Sequence, residues 1–155
     1  MTLPNATLPF EHERINALVE LMKQEQQLLV AADAIRLDDI NPRKVALVQE
    51  LAQLSRERHA ALGGAGFNAA EAGMEPWLAA HGDEAARGAW ARLLALTAEA
   101  KELNRVNGML INRQMAHNQT VLNALRTPTA APESTLYGAK GQTFGSAPSR
   151  RFVVG

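Results

Sequence analysis

From Asp83 to Arg126 the chain contains no proline. Apolar or small residues recur there at Ala86, Trp90, Leu93, Leu94, Thr97, Ala100, Leu103, Leu110, Ile111, Val121, Leu122 and Leu125. Steps of three and four place them on one face of a helix. At about 1.5 Å per residue that helix is about 65 Å long, the length of a bundle or coiled-coil element. Asp83 is suited to cap it, Glu84 to meet the positive end of its dipole, and Thr127-Pro128 to stop it.

Two shorter helices precede it. Glu11 to Leu37 has a face of Ile15, Leu18, Val19, Met22, Leu29, Ala32 and Ile35, widened by Leu21 and Leu28. The run Asp38-Asp39-Ile40-Asn41-Pro42 reads as a sharp junction, with Asn41 as cap and Pro42 in the first turn of the next helix. That second helix, over residues 42–62, is built on Val45, Val48, Leu51, Ala52, Leu54 and Leu62, and Gly63-Gly64 is expected to end it. Residues 1–9, with Pro4 and Pro9, read as a loose arm. Residues 63–82 form a glycine-punctuated connection with short helical turns, in which Phe67 and Trp77 plug the end of the bundle. The expected fold is all-α: an elongated antiparallel three-helix bundle or coiled coil, with a very long C-terminal helix and a flexible tail. Residues 1–126 form the bundle and 127–155 the tail.

Composition narrows the function. Aromatics make up 5% of the chain, so the core is mainly aliphatic, which suits closely packed helices. Sixteen basic residues balance sixteen acidic ones, which removes the electrostatic footprint of a nucleic-acid binder. The absence of cysteine excludes disulfides and thiolate chemistry and fits a reducing cytoplasm. The N-terminal residues lack the pattern of a signal peptide, and no apolar run is long enough to span a membrane, so no membrane insertion is expected. His12, His59, His81 and His117 have no metal-ligand spacing, and the glycines have no phosphate-loop context. No serine sits in a nucleophile motif, and no cofactor or enzymatic activity is expected.

The long helix is unusually rich in amides: Asn104, Asn107, Asn112, Gln114, Asn118, Gln119 and Asn123. Asn107 and Gln114 fall on its apolar seam, where amides either fix register or hydrogen-bond a partner. The helix also outruns the two before it by about 25 Å. In an up-down-up bundle this overhang includes Ile111, Met115, Val121, Leu122 and Leu125. A second copy, the chain's own tail or a different protein could cover it. The tail contains Tyr137, Phe144 and Phe152, and spaced aromatics mark either a docking motif or a segment that packs back on the bundle.

The run Asn104-Arg105-Val106-Asn107-Gly108-Met109-Leu110-Ile111 in the long helix, followed by Leu136-Tyr137-Gly138-Ala139-Lys140-Gly141-Gln142-Thr143, resembles FlgN-type flagellar export chaperones. Glu25 and Leu28 in the first helix, Lys44, Leu51, Leu54 and Arg58 in the second, and Gly63 after it agree with that family's pattern. The resemblance spans roughly residues 12–145. It implies a cytoplasmic, non-enzymatic chaperone that binds hook-associated (hook–filament junction) proteins, prevents their premature assembly and delivers them to the flagellar type III export gate. It also implies cargo contact toward the C-terminal helical region, here Asn107, Leu110, Ile111, Gln114, Met115, Asn118, Val121, Leu122 and Leu125. Docking to the gate would fall to Tyr137. The competing expectation is a self-associating structural coiled coil, a homodimer in which the long helix pairs with its own copy.

Overall fold

The computed structural model describes residues 1–126; the expected tail, its Leu136–Thr143 motif and Tyr137 lie outside the described residues. The element order is α1 (Leu8–Ala31), α2 (Ala34–Gly64), a single 3-10 turn at Glu71–Gly73, α3 (Met74–His81) and α4 (Glu84–Arg126). There is no strand among the described residues, and the expected all-α architecture with a very long last helix is what forms. The chain divides into two compact units, Met1–Ile111 and a second beginning at Asn112.

The N-terminal residues are not a loose arm. The Pro4 side chain is fully buried, Leu8 is 1% exposed, and turn hydrogen bonds lead from Leu3 into α1. Pro9 sits in the first turn of α1, where its missing N–H has no helical partner to lose. The buried stripe then runs Glu11, Ile15, Leu18, Met22, Glu25, Leu29, so two carboxylates interrupt an otherwise apolar face.

The junction between α1 and α2 differs from the sequence expectation. The break falls at Ala32-Asp33 rather than 38–42. Ala32 adopts the left-handed conformation (φ 56°), its N–H bonds Leu29 O, and Asp33 N–H bonds Leu28 O. These two bonds form a Schellman termination. Asp33 then caps α2, its carboxylate accepting from the Arg36 N–H at 3.2 Å. Asn41 is not a cap, and Pro42 lies inside α2. An interior proline costs a helix about 3 kcal/mol. Packing on both sides offsets this: Ile40 is buried, Leu47 and Leu51 pack on the core, and Lys44 reaches Glu25 on α1.

The other end of α2 also runs on. Gly63 and Gly64 remain helical, and the left-handed residue is Gly66 (φ 86°), with Phe67 N–H bonding Leu62 O. The connection folds into the 3-10 turn and α3, and Trp77 and Phe67 close the core there as expected. Asp83 caps α4, accepting the Ala86 N–H at 2.8 Å.

Within Met1–Ile111, α2 runs antiparallel to α1, with Glu11 against Arg58 and Glu25 against Lys44. α4 runs alongside α1 in the same direction, as the contacts His12–Ala89, Lys23–Glu99 and Asn107–Met22 show. Ile15, Leu18, Val19, Met22, Leu62, Met74, Trp77, Leu78, Trp90 and Leu93 form the core between them.

Candidate partner-binding surface

The buried residues of α4 are Ala86, Trp90, Leu93, Ala100 and Asn107, spaced by three, four and seven along one face. Asn107 is the last of them. It is 1% exposed, and its amide Nδ2 donates to Met22 O at 2.9 Å and to Glu25 Oε1 at 2.8 Å. Lys44 Nζ donates to both oxygens of the same carboxylate, at 3.0 and 2.9 Å. One residue from each of three helices therefore meets in a single buried network. Asn107 was expected to contact cargo, and this placement corrects that reading: both amide protons are engaged by α1. Its Oδ1 is buried without a hydrogen-bond partner, which leaves the network polar but not saturated.

A second network lies at the opposite end of α1. Arg58 is buried, and its Nε and Nη2 donate to the two Glu11 oxygens at 3.0 and 2.9 Å. Nη1 donates to Glu71 at 3.1 Å, Thr7 Oγ1 donates to Glu11 at 2.8 Å, and the guanidinium lies 4.8 Å from the Trp90 ring centre. Burial opposes the Arg58 charge, but Glu11 and Glu71 outweigh it and raise the guanidinium pKa further. Burial likewise opposes charge on Glu71, yet the His59 hydrogen bond and the nearby Arg58 charge hold its carboxyl below the usual range. Sequence reasoning missed both networks. The signal was present: Glu11 and Glu25 fall on the apolar stripe of α1, and Arg58 on that of α2.

The other residues expected at the partner surface lie further along α4. Leu110 and Gln114 are half-buried. Ile111, Met115, Val121, Leu122 and Leu125 are exposed, Met115 by 64% and Leu125 by 70%. Ile111, Met115, Asn118, Leu122 and Leu125 follow one another in steps of four, three, four and three. Such spacing keeps them in one stripe along the helix, with Asn118, also exposed, at its centre. On other faces, Gln119 donates to Asn123 at 3.2 Å and Thr120 to Ala116 O at 3.0 Å. Single exposed apolar side chains are ordinary; a continuous stripe marks a surface for association.

Among the described residues no helix is long and apolar enough to cross a membrane. A family model described as FlgN protein matches residues 4–144. The chain is 30% identical over 138 residues to the flagella synthesis protein FlgN of Proteus mirabilis, covering 88% of this chain and 86% of that protein. It is also 30% identical over 131 residues to the flagella synthesis protein FlgN of Escherichia coli (strain K12), covering 83% and 81% respectively. No solved structure gives a significant match. The match spans the buried networks, the long last helix and its exposed stripe alike, and the chain belongs to the FlgN family.

Proposed function

We propose that the chain is a cytoplasmic export chaperone of flagellar type III secretion, without enzymatic activity. It binds hook-associated proteins, keeps them from assembling early and delivers them to the export gate. The observation that supports this most is the exposed apolar stripe on α4, in a chain that belongs to a flagellar family. An amphipathic cargo segment lies along the stripe and buries its own apolar face there. Ile111, Met115, Val121, Leu122 and Leu125 supply the apolar contacts, with Leu110 at the near end. Gln114 and Asn118 set the register. Methionine suits a surface that adapts to more than one cargo. Ordering a disordered cargo offsets part of the burial energy and keeps release possible. Tyr137, beyond the stripe in sequence, docks the complex to the gate.

The test replaces Leu122 and Leu125 together by Asp. Both are exposed, so helical content is expected to stay constant. Losing two apolar contacts of about 1.5 kcal/mol or more each weakens binding of a hook-associated protein's C-terminal region at least about a hundredfold. Wild-type affinity in the soluble double variant would refute the assignment. Tyr137→Ala is expected to retain cargo binding and lose gate docking.

The four-three spacing with Asn118 at its centre also favours a second reading, a self-paired coiled coil. Light scattering on the chain with and without cargo separates the two. A tight dimer that ignores cargo supports self-association, and a cargo-dependent complex supports the chaperone.

A further inference from the structure

A second open surface lies within Met1–Ile111. α2 and α4 meet at one end through Arg58 and Trp90. Further along, two depressions between them share Ile15, Leu51 and Thr97 and form one groove. Its floor is the α1 stripe from Glu11 to Met22, about 17 Å or three helical turns. Val48, 50% exposed, stands on the α2 wall, and Ala100 and Lys101 on the α4 wall.

We propose that this groove receives an amphipathic helix of a partner protein, with a three-turn apolar stripe and acidic residues in its first turn. The charges of the groove choose the occupant. At the Met22 end, Lys44 is neutralised by Glu25, whereas exposed Lys101 makes no ion pair among the described residues. That end carries one uncompensated positive charge. At the other end Arg58 faces Glu11 and Glu71, leaving an excess of one negative charge. Carboxylates over Lys101 are complementary, and placing them in the partner's first turn also suits that helix's own dipole. The chain's own segments do not match. Residues 112–126 contain Arg113 and Arg126 and no carboxylate, and residues 127–155 contain Lys140, Arg150 and Arg151 against Glu133 alone. The same two segments of a second copy carry the same mismatch. The groove shares no residue with the cargo stripe and does not depend on the chaperone reading.

The probe is a fluorescein-labelled 14-residue helical peptide with leucines at its second, fifth, ninth and twelfth positions and two glutamates in its first turn. A control peptide carries lysines in place of the glutamates. Anisotropy with the full chain is expected to show the glutamate peptide binding about tenfold more tightly. Lys101→Glu reverses that order, and Val48→Asp abolishes binding with unchanged helical ellipticity. The Leu122/Leu125 double Asp variant still binds the peptide, so failure here and failure of the cargo surface are distinguishable. Equal binding of both peptides, no binding of either, or indifference to Val48→Asp would overturn the proposal. So would nuclear Overhauser contacts between Val48 methyls and the Tyr137 or Phe144 ring, which assign the groove to the chain's own tail. A dimer dissociated by Val48→Asp would overturn it in favour of a second copy.

Discussion

Replacing Asn107 by Asp changes one group and no volume, and it probes the three-helix network directly. The wild-type amide nitrogen lies 2.8 Å from Glu25 Oε1 and 2.9 Å from Met22 O. In the variant a carboxylate oxygen faces both acceptors. Two carboxylate oxygens at that distance cannot both stay ionised, so the folded variant must hold a proton that its unfolded chain does not hold at pH 7. Each pH unit above an ordinary unfolded carboxylate pKa of about 4 costs about 1.36 kcal/mol, or about 4 kcal/mol at pH 7. Lys44, bonded to both Glu25 oxygens, eases the repulsion, and about 2–4 kcal/mol is expected. Against a typical stability of 5–15 kcal/mol that is a large loss. The sign follows from linkage. The shared proton gives the folded pair a pKa above the unfolded value, so the deficit is full above the folded pKa. It shrinks as pH falls from 7 toward 4, where protonated Asp again donates to Glu25. Urea titrations followed by helical ellipticity at pH 7 and pH 5, against wild type and Asn107→Ala, provide the measurement. Asn107→Ala loses the same hydrogen bonds without adding charge, and its deficit is expected to be independent of pH over this range. An Asp deficit equal at both pH values would refute the geometry.

Arg58→Ala leaves Glu11 buried without its ion pair and is expected to cost about 3–5 kcal/mol in urea titrations. Arg58→Met combined with Glu11→Leu removes both charges and is expected to cost markedly less. Gly73→Ala places a Cβ against the Asn68 backbone carbonyl, which must move, and a loss of about 1–3 kcal/mol in the same titration is expected. Glu71→Gln is expected to lower stability at neutral pH. Because the Glu71 pKa is depressed in the fold, the wild-type advantage holds above the unfolded carboxylate pKa and disappears as pH falls through the folded value.

The helices were legible because their apolar spacing is regular, and the start of α4 was legible because Asp83 is a strong cap. The α1–α2 junction was not. Its left-handed residue is an alanine, which sends no glycine signal, and Pro42 looks like a helix start when its packing neighbours are unknown. At the other end of α2 three glycines lie close together, and only backbone geometry shows that Gly66, not Gly63 or Gly64, takes the positive φ. The exposed residues Ile111, Met115, Val121, Leu122 and Leu125 were legible from helix length alone. Asn107 was correctly read as lying on the seam, and of the two roles open to a seam amide it takes the register-setting one.

That role changes what the family-like residues mean. Glu25, Lys44 and Asn107 are three of the positions that carried the sequence resemblance, and the Glu25 carboxylate accepts hydrogen bonds from both of the others. Arg58, a fourth, is buried. A leucine at position 107 could slide one helical turn along the α1 stripe at little cost. An amide that must find Met22 O and the Glu25 carboxylate cannot. The network therefore fixes the register of α4 against α1 at the last buried position of α4, four residues before the exposed stripe opens at Ile111. The unsaturated amide Oδ1 costs stability, and what it returns is a single register of α4 on α1 within Met1–Ile111.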